Sequence, residues 1–337
     1  MSTVDLDIRP GAEGPRGVAE ATPRGRRGRF GDPIFRVLAT ACGLTVALGM
    51  FGLAAVLVYN SWPAITGLGT HVITTVAWSP TTGEYGALAA LTGTFLSTLV
   101  AMVIAVPLAL VIALLLVELV HPAVARVVGT AIEMLAAIPS IIFGMVGIFV
   151  IVPFMQDTFV PWVLSTPLGE LPGIKPGETF QQGGVSIFTA GIVLAFMILP
   201  FITAVSRDVM AMVPQVTKEA GYGMGSTTWE VMHKISLRYA NSGIVGAVFI
   251  GLGRALGETM AVAFLIGSVY DKLPTSLFDP GTSIASLIAN TFSEATDEIQ
   301  LSALIELGLI LFLITVLFQI AAQFWLRRVQ RSTGGRA

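Results

Sequence analysis

The chain has 337 residues, of which 54% are hydrophobic and only 12% charged, and its formal net charge is −2. A water-soluble domain carries roughly 25% charged residues, so this composition excludes a protein solvated by water over its whole surface and indicates lipid as the main solvent. The single cysteine, Cys42, excludes an internal disulfide and a multi-cysteine metal site.

The amino-terminal stretch is polar, basic and rich in proline and glycine. It contains no apolar segment of the length that a cleavable signal peptide requires. We therefore expect residues 1–33 to form a disordered basic tail and residues 34–330 to form a transmembrane domain.

Six apolar runs are long enough, at about 20 residues, to cross a bilayer as helices. Their approximate bounds in chain order are 33–59, 87–119, 129–155, 185–205, 244–269 and 301–326. The pattern predicts an all-α integral membrane protein with six transmembrane helices. Pro107 and Pro139, which lie inside two of the spans, predict kinks that neighbouring helices make tolerable.

Lysine and arginine are distributed very unevenly between the two sides of these spans. Sixteen of the 19 lie in the tail and the start of the first span, in segments 120–128 and 206–243, or after the sixth span. The opposite loops hold only Lys175 and Lys272, and Arg254 lies within the fifth span. Because positive residues concentrate in cytoplasmic loops, both termini, and with them the basic tail, are predicted to be cytoplasmic.

The longer opposite loops, 156–184 and 270–300, are rich in proline, glycine and acidic residues. Within the second loop, one face of a predicted amphipathic helix carries Ile284, Leu287, Ile288 and Phe292. That helix either lies at the outer membrane interface or dips into the protein. Its role is either interfacial packing or lining the outer mouth of a pathway.

The chain carries none of the compact motifs that supply energy or catalysis. None of its four lysines follows a glycine, so the phosphate-binding loop of ATPases is absent. Its three histidines, His71, His121 and His233, show no metal-ligand spacing, and no catalytic or metal-binding residues are expected. If the chain is a transporter, its energy has to come from other subunits or from an ion gradient.

Segment 206–243, between the fourth and fifth spans, predicts two short helices joined by a glycine-rich turn. Pro214 suits the first turn of the first helix. Thr227 and Glu230 form a capping box that begins the second helix at about Thr228.

On that second helix, Trp229, Met232 and Ser236 fall on one face at helical spacing. Apolar side chains that are exposed on a cytoplasmic loop need a surface to pack on. The segment therefore predicts a protein docking site beside the membrane.

The same segment resembles the signature of ABC importer permeases, which is E-A-A-x-x-x-G followed by nine residues and I-x-L-P. The matching positions are Glu219, Ala220, Gly221, Gly225, Ile235 and Leu237. Gly221 stands where the family has a second alanine. Arg238 stands where the family has proline, which leaves the end of the second helix less well defined by the signature.

The resemblance implies the type I ABC importer permease fold, with a cytoplasmic coupling-helix elbow. In that family the elbow docks on a separate ATPase subunit and transmits its closure to the transmembrane helices. ATP and Mg²⁺ would be used by the ATPase, so no cofactor is expected in this chain. Trp229 would lie on the docking face.

Three further stretches resemble phosphate-specific permeases: residues 134–144, 219–232 and 253–262. The Met-Ala that follows Gly-Glu-Thr resembles the PstC-type subunit, whereas PstA-type partners more often have Ala-Pro. This implies a heterodimer of two permeases over two ATPase subunits, fed by an external phosphate-binding protein. Relatives that import sulfate or molybdate share the elbow, so another oxyanion stays open as the alternative substrate.

Arg254 and Glu258 stand one helical turn apart in the fifth span, where each charge alone would cost at least ~2.5–3.5 kcal/mol. On a continuous helix they share one face, and Gly253 and Gly257 form a small-residue packing face. In one hypothesis Arg254 meets the phosphate in transit and Glu258 holds Arg254 when the site is empty. In the other, the pair is a salt bridge to another helix or to the partner permease that locks one conformation.

Two other classes of function compete with an ATP-driven permease. A secondary transporter that uses Arg254 and Glu258 as a proton relay predicts inverted repeats, which the sequence does not show. A membrane enzyme acting on phospholipids predicts catalytic histidine and aspartate clusters, which are missing.

Overall fold

The computed structural model describes residues 31–175, 177 and 184–333. The predicted tail, 1–33, therefore lies almost wholly outside the described residues. Among the described residues, those up to Ala54 and those from Ala55 onward belong to different units, and the packing described below lies within the second.

Six helices among the described residues are long and apolar enough to span a membrane, which confirms the predicted number. They are Pro33–Leu68, Leu88–Leu119, Ser140–Ser165, Ile187–Ala211, Thr228–Leu256 and Glu298–Arg328. We call the end of these helices that carries segment 206–243 the elbow end, and the other the opposite end.

The individual helices are α1 (Gly31–Leu68), α2 (His71–Thr74), α3 (Leu88–Leu114), α4 (Pro122–Ala136), α5 (Ser140–Val146), α6 (Val152–Phe154), α7 (Val160–Ser165), α8 (Ile187–Ala211), α9 (Gln215–Gly223), α10 (Thr228–Glu230), α11 (Leu237–Leu256), α12 (Met260–Leu265), α13 (Ile284–Thr291) and α14 (Glu298–Thr333). An antiparallel pair, β1 (Trp78–Ser79) and β2 (Glu84–Tyr85), precedes α3. π-Helical turns lie at Leu115–Leu119, Gly147–Ile151, Met155–Phe159 and Val231–Ser236, and 3₁₀ turns at Pro167–Glu170 and Phe292–Glu294.

The core is centred on the contact between α3 and α8. α3 presents a fully buried alanine at every fourth position, at Ala101, Ala105 and Ala109. Small residues at this spacing let two helix backbones approach closely. Gly191 of α8 continues this close packing, because a Cβ there would lie 2.6 Å from Val100 Cγ1. These two spans therefore form the rigid centre on which the other helices pack.

The third span begins later than the sequence predicts. α4 ends at Ala136 and α5 begins at Ser140, so the helix is interrupted at Pro139 rather than bent there. Proline disfavours helical backbone in the residue before it and donates no N–H of its own. The observed span, Ser140–Ser165, is thus displaced toward the carboxyl terminus. Pro107, in contrast, lies inside α3 without ending it.

The short helix α13 packs inside the protein. Ile284 and Leu287 are buried among residues of α3 and α14. The Ile284 N–H donates to Thr94 Oγ1 at 2.9 Å, which ties the start of α13 to α3. Of the two alternatives from the sequence, dipping into the protein is therefore the one that the structure confirms for Ile284 and Leu287, whereas Phe292 lies after α13 and is 51% exposed.

A buried carboxylate fixes the connection between α12 and α13. Asp279 is fully buried, and its Oδ2 accepts the N–H groups of Thr275 and Ser276 at 2.9 and 3.0 Å. Its Oδ1 accepts the Gly177 N–H at 3.0 Å. A buried charge is tolerated when it is fully hydrogen-bonded, so Asp279 holds both long loops of the opposite end together.

Candidate functional site

The fifth span does not continue as one helix through Arg254 and Glu258. α11 ends at Leu256 and α12 begins at Met260, so residues 257–259 interrupt the predicted span, 244–269, and the observed span, Thr228–Leu256, ends before Glu258. The predicted pair on one continuous helix face is therefore wrong. Arg254 lies in the last turn of α11, and Glu258 lies in the interruption.

The interruption has a local cause. Gly257 occupies the carboxyl-terminal cap of α11, and glycine is the weakest helix former after proline. Glu258 then turns to the next helix, because its Oε1 accepts the Ala261 N–H at 3.4 Å. An acidic side chain that accepts an otherwise unpaired N–H favours the start of a helix. The sequence thus ends one helix and begins another within three residues.

Arg254 is exposed at the surface of the single chain. No acidic side chain in the described part of the chain forms an ion pair with it. It lies roughly 26 Å along α11 from Leu237, at the carbonyl end, which attracts a cation. A guanidinium that faced lipid at the centre of a bilayer would cost ~2.5–3.5 kcal/mol, and the described chain offers Arg254 no acidic side chain to offset this cost.

Gly253 and Gly257 differ in their surroundings. A Cβ at Gly253 would lie 3.2 Å from Gln319 Nε2 of α14. Gly257 is exposed, and the atoms near its Cβ position are the carbonyl oxygens of Gly253 and Arg254 in its own helix. Only Gly253 therefore contacts another helix of this chain among the described residues. No motif pointed to Gln319, although an amide in an apolar span, which here also contains Gln323, is a signal that marks it.

Segment 206–243 forms the predicted helix, turn and helix. Gly225 closes the turn after α9 with a φ of +83°, the left-handed region that favours glycine. The Glu230 N–H donates to Thr227 Oγ1 at 3.3 Å, and the Thr227 N–H donates to Glu230 Oε2 at 3.1 Å. The predicted capping box and the predicted start of the second helix at Thr228 are both confirmed.

Two of the signature positions pack on each other across this turn. A Cβ at Gly221 would lie 2.5 Å from Ile235 Cδ1 and 3.2 Å from Val231 Cγ2. Gly221 therefore allows the two helices to meet closely. Leu237, further along, packs against a buried cluster that includes Met210. The elbow is thus joined to the ends of the spans by apolar contacts.

The surface of the elbow carries large apolar side chains. Met224 is 82% exposed and Trp229 is 68% exposed. The Trp229 indole stacks on the His233 ring, with centroids 6.0 Å apart and planes 9° apart. Glu219 and Ala220 of the signature are also exposed, on α9. This face has the composition of a protein contact surface.

The predicted common face of Trp229, Met232 and Ser236 is wrong. Met232 and Ser236 are buried, whereas Trp229 points outward. The backbone over Val231–Ser236 is π-helical, with hydrogen bonds that span five residues instead of four. A projection with 3.6 residues per turn therefore misplaces the side chains of this segment.

A buried ion pair lies beneath the elbow. Lys218 Nζ of α9 is 2.7 Å from Glu118 Oε1 in the π-helical turn after α3, and the side chains are 10% and 7% exposed. The Ser236 hydroxyl donates to the same oxygen at 2.7 Å. No local pattern indicates a contact between residues so distant in sequence. The one indication in the sequence is that Glu118 lies at the end of an apolar run. The distribution of lysine and arginine places this end of the run on the same side of the membrane as Lys218.

Residues 105–333 match the family described as binding-protein-dependent transport system inner membrane component. A phosphate transport system permease protein PstC from Pasteurella multocida is 46% identical over 301 residues, covering 89% of this chain and 93% of that protein. The PstC from Mesorhizobium japonicum is 43% identical over 309 residues, covering 92% and 94%. PstC 2 from Mycobacterium tuberculosis is 37% identical over 301 residues, covering 88% and 92%.

Among solved structures, a chain of a bacterial alginate ABC transporter, crystallised with an alginate pentasaccharide-bound periplasmic protein, is similar. The TM-score is 0.58, the identity is 14%, and the match covers 90% of this chain and 98% of that one. At this identity the likeness shows the fold alone, which is that of an ABC transporter permease.

Proposed function

The chain belongs to the family of binding-protein-dependent transport system inner membrane components, and we propose that it is a permease subunit of an ATP-driven importer of inorganic phosphate. It is a multi-pass protein of the inner membrane and not an enzyme. As such a subunit it forms half of the translocation pathway and couples it to a separate ATPase.

The observation that carries this function is the elbow. It is a capped, glycine-closed turn at one end of a membrane bundle, and it exposes Met224 and Trp229. Large apolar side chains exposed in this way mark a protein contact. We assign this contact to the ATPase, which would use ATP and Mg²⁺, whereas the permease itself needs no cofactor.

Phosphate as the substrate is supported by the relatives and by the chemistry of Arg254. The similar proteins named above are phosphate transport permeases. A guanidinium donates two parallel N–H groups to two oxygens of a tetrahedral oxyanion. Glu258, in the interruption, would accept a hydrogen bond from a protonated phosphate oxygen, which fully ionised sulfate does not offer.

The exposed position of Arg254 argues against one form of the conformational lock, a salt bridge to an acidic residue of the described chain. A lock within this chain needs an acidic partner, and the described residues supply none. A lock of the other kind would use an acidic residue of the second permease. In the transit role, the second permease covers the face that carries Arg254 and encloses a passage for the anion.

The proposal includes the other subunits and the orientation. We expect a second, PstA-type permease, two ATPase subunits at the elbow end and an external phosphate-binding protein at the opposite end. The excess of lysine and arginine supports a cytoplasmic elbow end with both termini on that side. The basic tail, 1–33, would then be cytoplasmic.

Reconstitution in proteoliposomes tests this function. The chain, its partner permease, the ATPase and the phosphate-loaded binding protein should accumulate labelled phosphate only when ATP is supplied to the ATPase side. Phosphate uptake by this chain alone under a proton gradient would overturn the proposal. Preferential uptake of sulfate or molybdate would overturn the assignment of the substrate and leave the ATP-driven mechanism in place.

A further inference from the structure

Glu118 is the meeting point of three segments that are far apart in the chain. Its Oε1 accepts hydrogen bonds from Lys218 Nζ and from Ser236 Oγ, each at 2.7 Å. Lys218 lies on α9, before the glycine turn of the elbow, and Ser236 lies in the π-helical turn after it. We call these three residues the Glu118 cluster. One oxygen of the second span is thus held by both arms of the elbow.

The cluster is buried, unlike the other ion pair of the elbow. Ser236 is fully buried, and the Glu118 and Lys218 side chains are at most one-tenth exposed. Lys234 and Glu230 form an equally short pair, at 2.8 Å, but their side chains are 65% and 39% exposed. Water screens an exposed pair and makes it worth little, whereas a buried charge is fixed to its partner.

A buried ion pair is a poor means of gaining stability, because apolar residues of the same volume commonly stabilise as much or more. Its distinctive property is geometric. The hydrophobic effect has no preferred direction, whereas charge-assisted hydrogen bonds are short and directional. Both Glu118 and Ser236 also lie in π-helical turns, which are frequent at functional positions.

We propose that the Glu118 cluster positions the elbow on the second span and carries elbow movement into α3 during ATP-driven transport. This inference rests on the proposed function. Because both arms hold the same oxygen, the elbow cannot rotate as a unit without moving Glu118 or breaking the cluster. α3 is packed along α8 through its buried alanines, so a movement of Glu118 enters the centre of the bundle.

The test measures phosphate imported per ATP hydrolysed by the complete transporter in proteoliposomes. Lys218→Met, which removes the charge and keeps an apolar stem, should lower this ratio by about tenfold, a typical size for coupling between two sites. Glu118→Lys combined with Lys218→Glu should restore most of the ratio. The matched control is Lys234→Met, which removes the exposed pair on the same elbow and should change the ratio by less than about twofold.

A lowered ratio separates positioning from mere structural support, because loss of folding lowers transport and ATP hydrolysis together and leaves their ratio unchanged. If Lys218→Met matches Lys234→Met in a phosphate-importing transporter, the inference is overturned. If the charge variants do not assemble, Ser236→Ala decides, since it leaves the ion pair intact. An unchanged ratio in Ser236→Ala then overturns the inference, and a lowered ratio supports it. An unaltered transporter that hydrolyses ATP without importing phosphate would instead overturn the proposed function.

Discussion

The elbow and the interrupted fifth span are two breaks in helical structure, about 30 residues apart in the chain. They differ in whether the polar and charged groups at the break find partners within this chain. In the elbow, the glycine turn, the capping box and the Glu118 cluster supply partners from within the protein. At the interruption, Arg254 stands exposed without an acidic partner among the described residues.

This difference indicates two kinds of dependence on other subunits. The elbow is fully formed within this chain and exposes apolar side chains, so a partner can bind to it without changing its conformation. The interruption is a polar site that one chain leaves open in a membrane, where an unmatched charge is costly. We expect a second protein or a water-filled passage to cover it.

The largest effect is expected at the open site. Arg254→Gln removes the charge and keeps a polar side chain of similar reach. We expect ATP-driven phosphate uptake to fall by about a hundredfold, because losing one partner of a desolvated charged contact costs about 2–5 kcal/mol. Labelled phosphate uptake by the reconstituted transporter measures this.

The matched control is Arg238→Gln, the same change at an exposed position near the start of α11. We expect it to alter uptake by less than about twofold, as surface substitutions usually do. Normal uptake, assembly and coupled ATP hydrolysis in Arg254→Gln would contradict the transit role. Arg254 and the break after α11 would then serve the structure of the protein and not the passage of phosphate.

The next largest effect is expected at Trp229, whose indole is exposed on the elbow. Trp229→Ala should weaken binding of the ATPase by at least ~2 kcal/mol, since buried aromatic anchors dominate protein interfaces. This corresponds to about a thirtyfold rise in Kd, measured with the detergent-solubilised permease and its ATPase. Trp229→Phe, which keeps an aromatic ring, should retain most of the affinity.

The control for this change is Met212→Ala, because Met212 has the same 68% exposed fraction as Trp229 but lies before the elbow helices. Its affinity for the ATPase should stay within about twofold of the unaltered chain. If Met212→Ala lost as much affinity for the ATPase as Trp229→Ala, the contact would depend on apolar surface in general and not on Trp229.

The elbow was predictable because its determinants are local. Thr227 and Glu230 are three residues apart, and the glycine that closes the turn stands between two short helical segments. Capping and glycine conformation depend on the nearest few residues, so the sequence alone places the start of the second helix. The sequence does not show which side chains of this helix are buried, because no local pattern distinguishes a π-helical turn from an α-helical one at Met232 and Ser236.

The interruption and the Glu118 cluster depend on information that is not local. Gly257 lowers helix propensity by only about 1 kcal/mol, so its effect on a long apolar span is decided by tertiary packing. Glu118 and Lys218 meet because α3 and α9 end at the same side of the bundle, a contact that no spacing rule supplies. The six spans themselves were predictable, since length and hydropathy suffice to identify them.

A smaller effect tests the close packing within the elbow. Gly221→Val should lower the free energy of unfolding by about 1–3 kcal/mol, because overpacking at the contact with Ile235 forces the helices apart. Gly221→Ala should be close to neutral, since the end of the Ile235 side chain can shift and alanine favours helix by about 1 kcal/mol. Thermal unfolding of the purified permease measures both variants, and a fully tolerated valine would contradict the packing.

The smallest effect separates two glycines that are two residues apart. Gly225→Ala should destabilise the elbow by about 1–2 kcal/mol, because a Cβ is disfavoured at a φ of +83°. Gly223 ends α9 with a helical backbone, and outside its chain neighbours and its own helix backbone no atom lies within 4 Å of its Cβ position. Gly223→Ala should therefore be neutral or stabilising by up to about 1 kcal/mol. Amide hydrogen exchange in residues 215–230 resolves the difference. If the elbow keeps its own shape without the ATPase, Gly225→Ala should lower its stability and Gly223→Ala should not. Equal changes in stability would mean that the elbow, like the site of Arg254, depends on a partner subunit.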